Sequence, residues 1–327
     1  MIKKLRLFVA VVFAVLTLTL CVGARTYTGS VNELTWSVDL NTGMLTIDGN
    51  GDMPNYTNCY ELPWEKFAGI VKTIVVGDGI TSVGNCAFMN MSALENVNLP
   101  DSVVGIGDSA FEFCKNLKSV NTPKNLKKIG DLAFADCAAL ESFEFVNTIE
   151  QIGVYAFSNC VSLEEVGLEK LNLTEISEGA FSGCSSVSVV NLPDNVTKIG
   201  EGAFYLCSAL GSIDLREGLE VIGDRAFFCA ENLKNVNIND NVSVGVDAFY
   251  KTAVNRDVLY GDVNSDGVVN GFDSLKLAEM LAGWEVGLSE YGKLAADVNV
   301  DGKINSLDIL RLMKKLAGFD VVLGGNA

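Results

Sequence analysis

The dipeptide Ala-Phe recurs eight times, ending at Phe88, Phe111, Phe134, Phe157, Phe181, Phe204, Phe227 and Phe249, at intervals of 22 to 24 residues. A fixed period of this length marks a repeat array, in which one unit cannot bury its own apolar side and stacked units bury a continuous core. Six residues after the Phe comes an apolar residue: Leu94, Leu117, Leu140, Leu163, Val187, Leu210 and Leu233. Period-two alternation follows, as in Leu94-Glu95-Asn96-Val97-Asn98-Leu99 or Leu210-Gly211-Ser212-Ile213-Asp214-Leu215, and predicts a short strand. Pro100, Pro123 and Pro193 lie just past that strand. An Ile-Gly step comes next at Gly107, Gly130, Gly153, Gly200 and Gly223. The expectation is a solenoid whose Phe and Leu side chains stack on their counterparts in neighbouring coils.

The cysteines share this register. Cys114, Cys137, Cys160, Cys184 and Cys207 each lie three residues after a repeat Phe, and Cys229 is one position out of step. Coils stack at about the strand spacing of 4.7–4.9 Å. That spacing does not forbid a disulfide, but equivalent positions have parallel Cβ vectors, which suit packing better than bonding. A ladder of buried free thiols is expected. Cys59 and Cys86 are off register, and their pairing is open.

Composition narrows the function. The chain has 327 residues, enough for two domains, with 41 acidic against 24 basic side chains and a net charge of −17. Such a surface repels phosphate backbones, so no nucleic-acid partner is expected. Histidine is absent. Ser-His-Asp triads, Cys-His dyads and His-containing zinc sites are thereby removed. A glycosidase needs two carboxylates about 5–9.5 Å apart. The repeat's acids, such as Asp101, Glu141, Glu164 and Asp224, sit at variable positions and read as a solvated outer face. No enzyme activity is expected.

Residues 1–24 combine Lys3, Lys4 and Arg6 with an apolar run from Leu7 to Val22 and small residues at Gly23 and Ala24. This reads as a signal peptide cleaved after Ala24, because the run is shorter than the roughly 20 residues that a spanning helix needs. A secreted protein with no membrane span after cleavage is expected.

Past Phe249 the pattern changes. Asp262-Val263-Asn264-Ser265-Asp266-Gly267-Val268-Val269-Asn270-Gly271-Phe272-Asp273 recurs 35 positions later as Asp297 to Asp308. A twelve-residue loop can wrap a hard cation that takes six to eight oxygens. Asp262, Asn264 and Asp266 supply side-chain oxygens, Val268 a backbone carbonyl and Asp273 the closing carboxylate. Asp297, Asn299, Asp301, Lys303 and Asp308 do the same in the second loop, so two Ca²⁺ ions are expected. Asn270 and Asn305 act through water or brace the loop. Each loop leads into a helical pattern closed by Gly283 or Gly318.

The repeat over about residues 70–250 resembles the BspA-like leucine-rich repeats. Residues 26–69, with Trp36, Pro63 and Trp64, look like the N-terminal cap of that family, and Trp36 and Trp64 suit a cap core better than sugar stacking. The loop–helix pair over about 258–320 resembles a type I dockerin. The domains are therefore 1–24 signal peptide, 25–69 cap, 70–254 leucine-rich-repeat domain and 255–327 dockerin. The fold class is α+β, a leucine-rich-repeat solenoid followed by a small all-α calcium-binding module.

The dockerin resemblance implies docking onto a cohesin module of a scaffoldin, in cellulosomes that degrade plant cell walls. The contacts it implies fall at loop positions 10 and 11, here Gly271, Phe272, Ser306 and Leu307, and farther along the helix at Ala278, Glu279, Met313 and Lys314. The family's common Ser-Thr pair is absent, and the halves differ at Phe272 against Leu307 and Glu279 against Lys314. One preferred binding orientation is expected, with Phe272 or Leu307 as the apolar anchor, unless Leu307 packs in the dockerin core. The repeat face holds a protein or glycan ligand. Polar strand positions such as Glu95, Asn96, Lys118, Ser119, Glu164, Glu165, Lys234 and Asn235 favour protein. The alternatives are a hydrolase subunit with a carboxylate pair on the solenoid and an adhesin linking the complex to substrate or cell. Calcium removal is expected to unfold the dockerin alone, with Trp284 as reporter.

Overall fold

The computed structural model describes residues 25–323, except 235, 237, 239, 240, 254–259 and 300–302. The expected signal peptide, the boundary at 254/255, Asn235 and Asp301 lie outside the described residues.

An antiparallel meander opens the fold: β1 (Thr26–Val31), β2 (Leu34–Asp39) and β3 (Met44–Asp48). Leu34, Val38, Leu45 and Ile47 alternate inward and are buried. β3 then pairs in parallel with Thr73–Val76, so the meander closes the open edge of the first coil. Such an end cover is what a repeat array needs. Trp64 is buried and stacks on Phe88, and Trp36 meets Trp64 edge-on. Both tryptophans belong to the cap core.

The coils build two parallel ladders, each interrupted once. One runs through Thr73–Val76, Asn96–Asn98 and Ser119–Asn121, and resumes at Glu165–Gly167, Val189–Asn191 and Ser212–Ile213. The other runs from Gly51–Asp52 to Gln151–Ile152, and again from Glu175–Ile176 to Ser243–Val244. The first ladder skips one coil. There Phe143 and Phe145 occupy the strand positions held elsewhere by smaller residues, mostly Val or Leu, and their buried rings meet Phe134, Phe157 and Phe181 edge-on or tilted. The second ladder breaks where the period lengthens to 24.

The Ala-Phe turns build a third ladder. All eight Phe rings are fully buried. Consecutive rings lie 5.1 to 5.7 Å apart, and most interplanar angles are below 15°. Each Phe N–H donates to the Ala carbonyl of the next coil, from Phe88 to Ala110 through Phe227 to Ala248, at 2.7 to 2.9 Å. This ladder crosses the first interruption through Phe111 to Ala133 and Phe134 to Ala156, and the second through Phe157 to Ala180.

Two residues before and two after each repeat Phe, the chain turns through left-handed backbone. Glycine fills only Gly179, Gly202 and Gly183; Leu132, Tyr155, Arg225, Phe113, Asp136 and Leu206 are among the others, with φ between +52° and +62°. That conformation is costly for residues with a Cβ. Here the same residues donate their N–H groups to the next coil, Leu132 to Val154, Arg225 to Val246 and Phe113 to Ala135, and these hydrogen bonds offset the cost.

The Ile-Gly step is a close approach. A Cβ on Gly130 would lie 2.6 Å from the Asp108 nitrogen, and one on Gly153 would lie 2.5 Å from the Asp131 nitrogen. The cysteine ladder is reduced, as expected. Cys114, Cys137, Cys160, Cys184 and Cys207 are buried thiols whose S–H groups donate to the carbonyls of Phe88, Phe111, Phe134, Phe157 and Phe181 at 3.1 to 3.2 Å. Burial pushes the Cys114 and Cys184 thiols up to about 12. Cys229 sits at a left-handed position, and Ala230 takes the buried place.

Among the described residues the C-terminal unit has three helices: α1 (Gly271–Leu281), α2 (Glu290–Ala296) and α3 (Ser306–Leu316). The short α2, capped by Ser289, was not foreseen from the sequence. Leu277 on α1 and Leu312 on α3 hold equivalent positions and meet with Val263, Ala296 and Val298 in a separate small core.

Candidate calcium and docking site

The first loop folds around its own carboxylates. Asp262 accepts the N–H groups of Asp266 and Gly267, both at 3.0 Å, one on each oxygen. Gly267 has φ +88°, the turn foreseen at loop position 6. Asp266 accepts from the Val268 N–H at 2.8 Å and from Asn264 Nδ2 at 2.7 Å. Asp273 reaches back from the first turn of α1 to accept the N–H groups of Asn264 at 3.1 Å and Asn270 at 2.8 Å.

One oxygen each from Asp262, Asp266 and Asp273 falls within 4.8 Å of the others. All three side chains are buried. Burial first, then the charges of Asp266 and Asp273, pushes the Asp262 carboxyl up to about 8. Burial pushes Asp273 up to about 6, and Asp266 also rises. Like charges are not gathered away from water without compensation. A divalent cation at the centre would supply it, and an all-oxygen donor set fits calcium or magnesium.

The second loop repeats the closure. Asp308 accepts from the Asn299 N–H at 3.2 Å and from the Asn305 N–H at 2.8 Å, and is fully buried. Asn270 and Asn305 serve as braces: each caps its helix by accepting an N–H, from Phe272 at 2.7 Å and Leu307 at 2.8 Å. The closing Asp forms a capping box with that Asn. One residue pair therefore both starts the helix and closes the loop.

Phe272 is 72% exposed and Leu307 58% exposed, so Leu307 is no part of the module's core. Met313 is also exposed, as are Gly271, Ser306 and Lys314, while Ala278 and Glu279 are half-buried. Sequence reasoning missed three further exposed apolar pairs at the same offset of 35: Leu275 with Leu310, Leu281 with Leu316 and Trp284 with Phe319. Leu275, Leu281, Leu310 and Leu316 lie in the helical pattern that follows each loop, where spacing alone does not mark them as exposed. The signal that separates them is agreement between the halves at positions that cannot all face a five-residue core.

A parallel solenoid joined to a duplicated cation-loop module defines a repeat scaffold with a metal-dependent appendage. The BspA type leucine rich repeat region matches residues 67–170 and 127–256, and the type I dockerin domain matches residues 260–317. The chain belongs to the BspA-type leucine-rich-repeat proteins and carries a type I dockerin, a domain that binds calcium and typically occurs in extracellular proteins. No curated protein matches the chain.

Among solved structures, a leucine-rich repeat protein from Eubacterium ventriosum is 19% identical, covering 71% of this chain and 96% of its own, with a TM-score of 0.42. A leucine rich cell surface protein from Faecalibacterium prausnitzii is 24% identical, covering 70% of this chain and 55% of its own, with a TM-score of 0.47. The T. pallidum leucine rich repeat protein is 26% identical, covering 69% and 91%, with a TM-score of 0.42. No helix among the described residues is long and apolar enough to cross a membrane.

Proposed function

We propose that this chain is a non-catalytic, secreted adaptor of a cellulosome. Its dockerin, residues 255–327, loads two calcium ions and docks onto a scaffoldin cohesin, while its repeat array, residues 70–254, holds a protein partner during plant polysaccharide degradation. Asp262, Asn264, Asp266, Asp273 and the Val268 carbonyl hold one ion. Asp297, Asn299, Asp301, Asp308 and the Lys303 carbonyl hold the other.

The observation that carries this reading is the pairing of a buried carboxylate cage with apolar side chains that both halves leave in solvent. Ion binding supplies the stability the small core lacks, and the exposed residues at equivalent positions are available to a partner. A protein ligand for the array is favoured by the mixed polar surface of its strands, where Lys118 pairs with Glu95 at 3.3 Å.

Cohesin titration in calcium and in EDTA tests the docking. Binding that survives chelation refutes it. Phe272→Ala and Leu307→Ala then test the single orientation: one variant should weaken binding roughly 10- to 100-fold and the other little. Equal small losses would refute a preferred anchor.

A further inference from the structure

The stretch leading into the first coil is fastened to residues 85–88 at two places. The Tyr56 N–H donates to the Asn85 carbonyl at 3.0 Å, and the Asn85 N–H donates to Asn55 Oδ1 at 2.8 Å. Farther on, Trp64 Nε1 donates to the Ala87 carbonyl at 2.9 Å, and its ring lies 5.7 Å from that of Phe88. Cys59, the first residue of the turn Cys59–Glu61, falls between these fastenings on one strand of chain, and Cys86 between them on the other.

Cys86 is fixed. It sits at φ +54°, donates its N–H to the Asp108 carbonyl at 2.9 Å and accepts the Met89 N–H at 3.1 Å. Both thiols are half-buried, and Cys86 feels the charge of Cys59. The five ladder thiols differ in being fully buried, with each S–H engaged by a carbonyl.

We propose that Cys59 and Cys86 form a redox-sensitive staple joining the N-terminal cap to the first coil. Two S–H bonds break and one S–S bond forms. The two hydrogens and their electrons pass to a small disulfide oxidant, which leaves as two thiols. Burial raises the Cys86 thiol, with Glu112, Asp108, Cys59 and Glu61 adding to it. A sulfur that prefers its proton leaves slowly, so a reductant attacking at the Cys59 sulfur reopens the bridge slowly. The bridge closes about 27 residues of chain in the unfolded state and pins Trp64 against the first ring of the Phe stack. It thereby secures the end where an array frays most readily.

The test uses the full chain equilibrated with oxidised and reduced glutathione, acid-quenched, alkylated in denaturant and mapped by mass spectrometry. Under oxidising conditions the peptides containing Cys59 and Cys86 should be joined, while the ladder thiols carry the alkyl label. Label on both Cys59 and Cys86, or linkage of either to another cysteine, overturns the proposal. Dithiothreitol should lower the array's Tm by roughly 5–10 °C in the oxidised protein. It should leave Cys59→Ala unchanged, and a response that persists in that variant would also refute the staple. The peptide map needs no variant, so the proposal stays testable if Cys59→Ala fails to fold.

Discussion

The array and the C-terminal module solve the same problem of burying apolar surface by opposite means. Each coil of the array borrows its core from its neighbours: rings stack about every 5 Å, and three N–H groups per Ala-Phe turn reach carbonyls of the next coil. The module has five side chains in its buried cluster and places three carboxylates beside them. Repetition makes stability roughly additive along the array. A small core must draw on bound ions instead. Stability in this chain is therefore modular, and its two parts should answer to different perturbations.

Calcium removal should separate them most sharply. At about pH 8, where the metal-free carboxylates repel one another most, EDTA should abolish the helical circular dichroism of the module and leave the array's strand signal in place. Joint loss would show the two to be one cooperative unit. Trp284 is a poorer reporter than its sequence context suggested, because it is 66% exposed when folded.

The array should answer instead to a broken stack. Phe157→Ala empties a position ringed by four other phenylalanines and should cost about 3–5 kcal/mol in chemical denaturation. A loss below 1 kcal/mol would mean that the coils collapse around the gap. Gly130→Ala pushes a Cβ into the backbone of the previous coil and should cost about 1–3 kcal/mol.

Between about pH 4 and 8 acidity should act mainly on the module. Without calcium, Asp262 and Asp273 titrate at about 8 and about 6 in the folded unit, above the ordinary carboxylate value of 3.8. Between those limits the unfolded chain has lost protons that the folded unit retains. Metal-free stability should therefore fall as pH rises from about 4 to 8. Calcium affinity should rise over the same interval, because protons compete for the same oxygens. Thermal melts across that range, with and without the ion, read both signs. At the small end, Lys198→Ala removes an exposed pair with Glu175 at 2.7 Å and should leave the melting temperature unchanged.

The core of the array was legible because it follows from periodicity. Ala-Phe, the following Leu and the Ile-Gly step each occupy one structural role in every coil, so spacing alone identified them. The loops were legible for the same reason: ion geometry fixes residue type by position. What escaped were features that residue type does not announce. Leu132, Tyr155 and Arg225 take left-handed backbone because hydrogen bonds between coils hold them there. Phe143 and Phe145 keep the strand's alternation, yet the ladder skips their coil. The exposed Leu275 and Leu310 share helical spacing with the buried Leu277 and Leu312, and only packing tells them apart.

The third ladder also has a mechanical meaning. An adaptor held by its dockerin at one end and by a partner on its array is placed under tension whenever the two anchor points drift apart. Force along the stacking axis meets the hydrogen bonds of one coil boundary at a time, so the array yields by peeling. Each released coil of about 23 residues pays out roughly 75 Å of chain. Single-molecule extension should show a series of evenly sized steps, one per coil; under the proposed docking the array would be a graded shock absorber between scaffold and cargo.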